Sequence, residues 1–219
     1  MPNSKLHLIW DLDGTLIDSA PEIKQVLDKS VKETGFSAIE PIAPFRSGPP
    51  LDKVLECMYG NRLSGENIKQ IVSEFRKNYD NCGFYHTPGF NGIEEILTNK
   101  SFVHHIITNK PDLATNRIVK KLGWEKYFAS IITPYSYMTS LNDKRKTKSE
   151  LFNLCMADYP TEKFVGIGDM ATDAIAAIEN KILAIGVLWG TGLKQELEAS
   201  GCSYIVKSIS ELNKLLGFL

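Results

Sequence analysis

The stretch WDLDGTLIDS, residues 10–19, decides how this chain is interpreted, because two acids stand where an apolar run ends. The run that leads into it, KLHLIW, is short and apolar, as expected of a buried strand. Asp11 and Asp13 follow this run one residue apart, and two carboxylates at that spacing repel each other. The stretch therefore predicts a polar site at the end of a buried strand, with some further group that makes the crowding of acids favourable.

The composition describes an ordinary globular protein. Of 219 residues, 43% are apolar and 23% are charged, and the formal net charge of -1 argues against nucleic acid or an anionic membrane as a partner. The N-terminus lacks the apolar core of a signal peptide, and no later window approaches a membrane span. The four cysteines form no CxxC pair, and the four histidines show no metal-ligand spacing. We expect a cytoplasmic monomer or homodimer with reduced cysteines.

The order of patterns predicts an α/β core with a helical insertion. Residues from about 20 to 85 show helical periodicity alone. They include a stretch with apolar residues at helical spacing, for which Ser64 is the expected N-cap. From Pro88 onward, short apolar runs alternate with helical patterns, as in a parallel sheet covered on both faces. We predict a core of residues 1–17 and 86–219, with residues 18–85 as an inserted all-helical lobe.

Three apolar runs end in polar residues of consistent chemistry. The residues at these ends are, in chain order, Asp11 with Asp13, Thr108 with Asn109, and Gly168 with Asp169. If the runs are neighbouring parallel strands, their carboxyl ends meet at one crevice, where ligands of such sheets bind. Carboxylates crowded there need a cation, and oxygen ligands suit Mg²⁺. Asp173 follows Asp169 by one helical turn, so it can face the same site and support its ligands.

These groups suit phosphoryl transfer, which depends mostly on positioning and charge compensation. Asp11 can attack phosphorus and form an aspartyl-phosphate, while Asp13 can protonate the leaving alcohol and later accept a proton from water. Thr108 and the backbone around Asn109 can hydrogen-bond the transferring group. The basic stretch NDKRKTKSE, residues 142–150, supplies candidates for a cation opposite the metal.

Several segments resemble one enzyme superfamily. DLDGTL, ITN and GDMATD, in this order, resemble motifs one, two and four of the haloacid dehalogenase superfamily. The arrangement is similar to its phosphoglycolate phosphatase-like branch, whose helical cap is inserted after motif one. FRSGPPLDKVL resembles the cap loop of that branch, TPGFNGIEEIL the stretch before motif two, and IGVLWGTG a segment after motif four. The resemblance therefore covers nearly the whole chain.

The resemblance implies a Rossmann-like parallel sheet core, a mobile cap, Mg²⁺ and an aspartyl-phosphate mechanism. By position, Asp11 matches the nucleophile and metal ligand. Asp13 matches the acid/base, which also binds the metal through its backbone carbonyl. Thr108 matches the phosphate binder, Asp169 a metal ligand, and Asp173 the acid that supports it.

Two basic assignments depend on weaker patterns. The lysine of motif three usually begins a K-P-x-P stretch before a helix, and here the best match, KTKSELF, lacks both prolines. We assign the role of the motif-three lysine to Lys146, with Lys144 and Lys148 as alternatives. Arg46, in FRSGPP, is either a clamp on a substrate anion or a surface arginine.

We therefore predict a Mg²⁺-dependent phosphatase of a small phosphorylated metabolite, with a phosphoglycolate-like substrate first. Asp13 disfavours a dehalogenase or phosphonatase, whose patterns lack that second acid. A β-phosphoglucomutase-like phosphomutase and a pyrophosphatase of the same superfamily are the enzymatic alternatives. A phosphorylated receiver module and a non-catalytic binding protein are the alternatives from other classes, and receivers are much shorter.

Overall fold

The computed structural model of the protein describes residues 5–136 and 144–219. Its sheet has six strands, all parallel, in the order β3-β2-β1-β4-β5-β6. The strands are β1 (Leu6–Trp10), β2 (Phe102–Ile107), β3 (Phe128–Ile132), β4 (Lys163–Gly168), β5 (Leu183–Val187) and β6 (Tyr204–Val206). The predicted α/β class with a parallel sheet is confirmed.

Helices separate the strands along the chain. They are α1 (Ala20–Glu33), α2 (Leu51–Tyr59), α3 (Gly65–Asp80), α4 (Ile93–Leu97), α5 (Asp112–Lys121), α6 (Lys148–Ala157), α7 (Ala171–Glu179), α8 (Lys194–Ala199) and α9 (Ile209–Leu216). Between β1 and α4, the described elements are helical, as predicted. None of the helices in the described ranges is both long and apolar enough to cross a membrane.

The chain divides into two compact units. One contains the chain up to Asp18 together with Gly89–Leu219, and the other is Ser19–Pro88. The sequence-based boundaries place the core ends at 17 and 86, against 18 and 89 in the structure. The first unit carries the sheet, and the second carries α1, α2 and α3.

The sheet unit is built on strands whose two faces are both buried. Along β1, all residues after Leu6 are buried, which explains why KLHLIW reads as a continuous apolar run rather than an alternating one. On one face, Ile9, Phe152 and Phe164 belong to one apolar cluster. Gly166 on β4 leaves room for the Phe152 ring, because a Cβ there would approach the ring within 3.0 Å. This packing fixes α6 against the sheet.

The helical unit is stabilised by an N-cap that the sequence predicts. Ser64 caps α3, and it forms a capping box with Asn67. The buried face of α3 is apolar, and Asn78 donates a hydrogen bond to Ser30 Oγ of α1 at 3.1 Å. Helix periodicity and capping together explain where α3 begins and which of its faces is buried.

The segment that joins β1 to the insertion folds back on itself. Gly14 N donates to Ile17 O at 2.9 Å, and Ile17 forms isolated bridges with both Asp13 and Gly89. Phe90 N donates to Leu16 O at 3.0 Å, which ties the returning chain to the same place. The insertion thus leaves and rejoins the sheet unit at one point.

Buried histidines lie within the sheet. Trp10 Nε1 donates to His104 Nδ1 at 3.0 Å, while His105 bonds to His7 at 2.9 Å and to Ser130 Oγ at 2.8 Å. Burial lowers the pKa of His104 and the pKa of His105 to about 4. These histidines are neutral structural groups, and their hydrogen bonds connect side chains of neighbouring strands, β1 with β2 and β2 with β3.

Candidate active site

The candidate site lies at the carboxyl ends of the three central strands. Because β1 lies between β2 and β4, the residues that follow these three strands are neighbours at the carboxyl end of the sheet. Asp11 N donates to Ile167 O at 2.9 Å, which carries the β1–β4 ladder to the first acid. The sheet therefore brings the ends of the DLDGT, ITN and GDMATD stretches together.

Three buried carboxylates form the centre of the site. Asp11 and Asp169 follow β1 and β4, and Asp173 lies in the first turn of α7. One carboxylate oxygen from each of the three lies within 4.8 Å of the others. All three side chains are buried, and Asp169 is completely so. The structure thus places together three acids that the sequence assigns to one site.

The lysine at this cluster is Lys148. Its Nζ donates to Asp11 Oδ1 at 2.5 Å and also pairs with Asp173 Oδ1. Lys148 is the first residue of α6, directly after the N-cap Thr147, which forms a capping box with Glu150. The cap fixes the helix start, and with it the direction of the Lys148 side chain.

The sequence-based choice of Lys146 is therefore corrected to Lys148. Lys146 precedes the N-cap and is only half-buried, and Lys144 is exposed. Without the two prolines of the usual motif, the sequence does not fix where the helix begins, so three lysines in KRKTK remain possible. Burial supplies the distinction, because Lys148 is 7% exposed while its charge is offset by two carboxylates.

A second lysine, which the sequence analysis did not select, contacts Asp13. Lys110 Nζ lies 2.9 Å from Asp13 Oδ1 and 3.2 Å from Oδ2. The Lys110 side chain is 4% exposed, whereas that of Asp13 is 22% exposed. The signal that could have identified Lys110 is its place directly after ITN, where the polar end of β2 meets the polar end of β1.

Negative charge exceeds positive charge in the buried cluster around Asp11. Burial raises the pKa of Asp11 to about 7 and the pKa of Asp169 to about 6, and neighbouring acids add to both shifts. Burial also raises the pKa of Asp173, although Lys148 opposes the shift. Burial alone would lower the pKa of the Lys148 ammonium, but the carboxylates outweigh it and raise this pKa. One lysine does not neutralise three acids.

Backbone donors hold Asp169 in place. Its Oδ2 accepts hydrogen bonds from Thr191 N at 2.8 Å and Gly192 N at 3.3 Å, both in the IGVLWGTG stretch. This loop approaches so closely that a Cβ on Gly190 would lie 2.2 Å from Gly14 O. Gly14 itself has φ +79°. Sequence reasoning missed these donors because they are backbone groups, which any residue type provides.

The end of β2 carries the two polar residues predicted to bind phosphate. Thr108 is buried, and its Oγ1 accepts a hydrogen bond from Lys110 N at 3.2 Å, so its hydroxyl hydrogen can be directed elsewhere. Asn109 is exposed, and its carbonyl oxygen accepts from Arg145 Nη2 at 2.9 Å. Arg145 belongs to the basic stretch 142–150, of which residues 142 and 143 lie outside the described residues.

Arg46 belongs to the helical unit, where its side chain is partly buried. It makes interactions within the protein. Its role as a clamp on a substrate anion stays a prediction.

The site fits a divalent cation by donor type and by charge. The acids Asp11, Asp13, Asp169 and Asp173 carry a formal charge of -4, and the ammonium groups of Lys110 and Lys148 carry +2, which leaves -2. The donors in the buried cluster are carboxylate oxygens, the ligand type that Mg²⁺ prefers. The protein residues alone leave a net negative charge, which one Mg²⁺ ion would cancel.

Comparison with known proteins identifies the family. Residues 8–187 match the family described as haloacid dehalogenase-like hydrolase. A 5'-nucleotidase of Pseudomonas aeruginosa is 26% identical over 217 residues, which cover 96% of this chain and 95% of that protein. A phosphoglycolate phosphatase of Xanthomonas campestris is 28% identical over 192 residues, covering 84% of this chain and 83% of that protein.

A solved structure extends the agreement to the fold. The crystal structure of a Clostridium difficile protein superimposes with a TM-score of 0.79 at 23% sequence identity. The superposition covers 99% of this chain and 100% of the other. At this identity, the likeness concerns the fold alone.

Proposed function

Because the chain belongs to the haloacid dehalogenase-like hydrolase family, we propose that it is a Mg²⁺-dependent phosphatase of a small phosphorylated metabolite. The observation that carries the proposal is the second acid, Asp13, placed beside the buried Asp11 and held by its own lysine. A phosphate ester releases an alcohol, which needs a proton as it leaves, whereas a halide does not. Asp13 is the group that can supply that proton.

Asp11 and Asp169 would hold the metal, together with the backbone carbonyl of Asp13, and Asp173 would support them. When bound, Mg²⁺ supplies positive charge that lets an anionic carboxylate approach an anionic phosphoryl group. The remaining chemistry is assigned to the residues of the chain.

In the first half-reaction, a carboxylate oxygen of Asp11 attacks phosphorus, and the ester P–O bond breaks. The electron pair of that bond goes to the leaving oxygen, which takes a proton from Asp13. In the second half-reaction, Asp13 accepts a proton from water as the water oxygen attacks the aspartyl-phosphate. The P–O bond to Asp11 then breaks, which restores the Asp11 carboxylate and leaves Asp13 protonated, as it was before the first half-reaction.

Lys148 and Thr108 act on charge and orientation. The Lys148 ammonium, in contact with Asp11, balances negative charge as the nucleophile meets the phosphoryl group. The Thr108 hydroxyl, whose oxygen already accepts from Lys110 N, can donate its hydrogen to a phosphoryl oxygen. Both groups are buried, so they are in place before substrate binds.

The relatives give the order in which we would test substrates. Phosphoglycolate is the first substrate to test, since one relative is a phosphoglycolate phosphatase. Nucleoside monophosphates are the second, because a relative that matches 96% of this chain is a 5'-nucleotidase. Pyrophosphate and sugar phosphates complete the set, and sugar phosphates also test the phosphomutase alternative.

The test is Mg²⁺-dependent phosphate release from phosphoglycolate, nucleoside monophosphates, pyrophosphate, sugar phosphates and p-nitrophenyl phosphate. The Asp11→Asn variant removes the nucleophile, and Asp28→Asn, at an exposed carboxylate on α1, is the matched control. We expect release that requires Mg²⁺ and Asp11 and is unchanged in the control. Isomerised sugar phosphate without net phosphate release would instead identify a mutase, and turnover that survives Asp11→Asn would exclude the proposed nucleophile.

A further inference from the structure

We propose that Lys110 is a positioning residue for Asp13, and that its ammonium group fixes the orientation in which the Asp13 carboxylate meets the leaving group and water. This inference rests on the proposed function, because Asp13 is the acid/base of that reaction. It adds a residue that the motifs do not contain.

The contact between the two side chains is close and two-pronged. Lys110 Nζ is within hydrogen-bond distance of both Asp13 oxygens, at 2.9 Å to Oδ1 and 3.2 Å to Oδ2. A lysine that is 4% exposed has lost most of its hydration, so an oppositely charged partner is needed to stabilise its charge there. The pair therefore restricts the direction in which the Asp13 carboxylate can point.

Lys110 itself is held by the loop from which it extends. Its backbone N donates to Thr108 Oγ1 at 3.2 Å, and its carbonyl oxygen accepts from Thr115 Oγ1 at 3.4 Å. Pro111 follows and is the N-cap residue of α5, with φ -60°. The ammonium group thus extends from a backbone that is fixed at both ends of the residue, as a positioning group requires.

The chemistry of an ammonium group suits this role. Lysine has three N–H donors and no acceptor, so one ammonium group can donate to both oxygens of a carboxylate. The contact with both Asp13 oxygens therefore holds the plane of the carboxylate relative to Lys110. Asp13 is 22% exposed, so a leaving group and water can reach it in this orientation.

The test compares two esters that differ in their need for a proton. The alkyl ester is phosphoglycolate, or the alkyl phosphate that the wild-type enzyme hydrolyses fastest, and its alkoxide leaves poorly without protonation. The other is p-nitrophenyl phosphate, whose phenolate leaves unaided. The variants are Lys110→Met and Lys110→Arg, with Lys120→Met, at an exposed lysine of α5, as the matched control. Far-UV circular dichroism checks folding, and Lys110→Gln replaces Lys110→Met if that variant does not fold.

We expect Lys110→Met to lower kcat/KM for the alkyl ester by about 100-fold, because general acid catalysis contributes at least that factor. For p-nitrophenyl phosphate, kcat/KM should stay within about threefold of wild type, since that constant reports steps up to release of the phenolate. For p-nitrophenyl phosphate, kcat and KM should fall together, because slow proton transfer from water to Asp13 makes hydrolysis of the aspartyl-phosphate rate-limiting. A burst of phenolate equal to the enzyme concentration should then precede the steady state. Lys110→Arg should restore most of the loss.

Two results would overturn the inference while leaving the proposed function standing. One is an equal loss of kcat/KM for both esters, which describes general damage or lost phosphate binding. The other is an unchanged alkyl ester reaction in Lys110→Met. A wild-type enzyme that releases no phosphate from any substrate with Mg²⁺ would overturn the proposed function and, with it, this inference.

Discussion

Two aspartate–lysine pairs stand side by side at the end of the sheet, and they differ in burial and in number of partners. Lys148 contacts Asp11 and Asp173, and all three side chains are less than 10% exposed. Lys110 contacts Asp13, whose side chain is 22% exposed. We call the first pair closed, because Lys148 and Asp11 are buried, and a second acid, Asp173, adds to its negative charge. We call the second pair open, because its acid is partly exposed, and its two charges are equal and opposite.

The difference follows the two tasks proposed for the acids. A nucleophile that attacks phosphorus gains from a dry site, where electrostatic interactions are strong and a metal can complete the charge. An acid/base must exchange protons with a leaving group and with water, so it needs access. The comparison predicts that changes at the first pair have larger effects on stability and turnover than changes at the second.

Lys148→Met should have the largest effect. Removal of the ammonium leaves Asp11 and Asp173 buried without a counter-charge, so the free energy of unfolding should fall by about 3–5 kcal/mol. Turnover should fall by about 10³-fold, since a buried charge next to the nucleophile is lost. Urea unfolding and phosphate release measure the two quantities.

Lys146→Met is the control for that variant. Lys146 is half-buried and lies before the helix cap, so its replacement should change unfolding by less than about 0.5 kcal/mol. The reverse pattern, with Lys146→Met inactive and Lys148→Met active, would restore the assignment made from sequence.

Buried histidines provide a third arrangement, in which a titratable group is buried with neutral partners. The pKa of His104 is about 4 in the folded protein and about 6.5 when unfolded, so the unfolded state binds more protons between these values. Stability should therefore fall as the pH decreases from about 6.5 to about 4, by about 2–3 kcal/mol for this residue. His104→Gln should flatten the pH dependence of the free energy of unfolding by that amount, with exposed His86→Gln as control. An unchanged slope in His104→Gln would contradict the assignment.

Gly190→Ala tests the buried cluster of Asp11, Asp169 and Asp173 without changing a charge. The new Cβ would lie 2.4 Å from Asp169 Oδ2 and 2.2 Å from Gly14 O, so Asp169 or the loop must move. We expect the Mg²⁺ concentration for half-maximal phosphate release to rise at least about tenfold, as for changes to groups that orient metal ligands. Gly65→Ala, where the Cβ meets no atom within 4 Å, should leave that concentration unchanged.

A double-mutant cycle at Lys110 and Asp13 should give the smallest effect. Because Asp13 is partly exposed, the coupling in unfolding free energy between Lys110→Met and Asp13→Asn should be about 1 kcal/mol or less. The matching cycle at Lys148 and Asp11 should give a larger value. Equal couplings in the two cycles would remove the distinction between a closed pair and an open one.

The fold was largely predictable because its signals are local. Alternating apolar runs and helical patterns after Pro88 identify the parallel sheet, and periodicity together with the Ser64 cap identifies α3. The pattern FNGIEEILTNK suggests a longer helix than α4, which comprises Ile93–Leu97 alone. Gly92, with φ +92°, starts that helix late, and Thr98 Oγ1 bonds to the carbonyl oxygen of Glu94 where it ends.

The acids of the site were predictable for a different reason than its cations. Asp11, Asp169 and Asp173 have fixed positions relative to strand ends, and strand ends are visible in the apolar pattern. Lys148 depends on where α6 begins after a stretch without its usual prolines. The place of Lys110 after ITN makes it a candidate, but only its burial distinguishes it from a solvated loop lysine. A lysine in a polar loop is usually solvated, so only tertiary packing distinguishes these two.

The bridge between Ile17 and Gly89 has a consequence for how such proteins diversify. Since the inserted segment starts and finishes at adjacent backbone positions, one such segment can be exchanged for another without any change in the spacing of the strands. The buried acids and their lysines all belong to the sheet unit, so they stay together when the inserted segment is exchanged. A chimera joined at these two positions keeps the strands and the charged cluster of this chain and replaces only the helices between them.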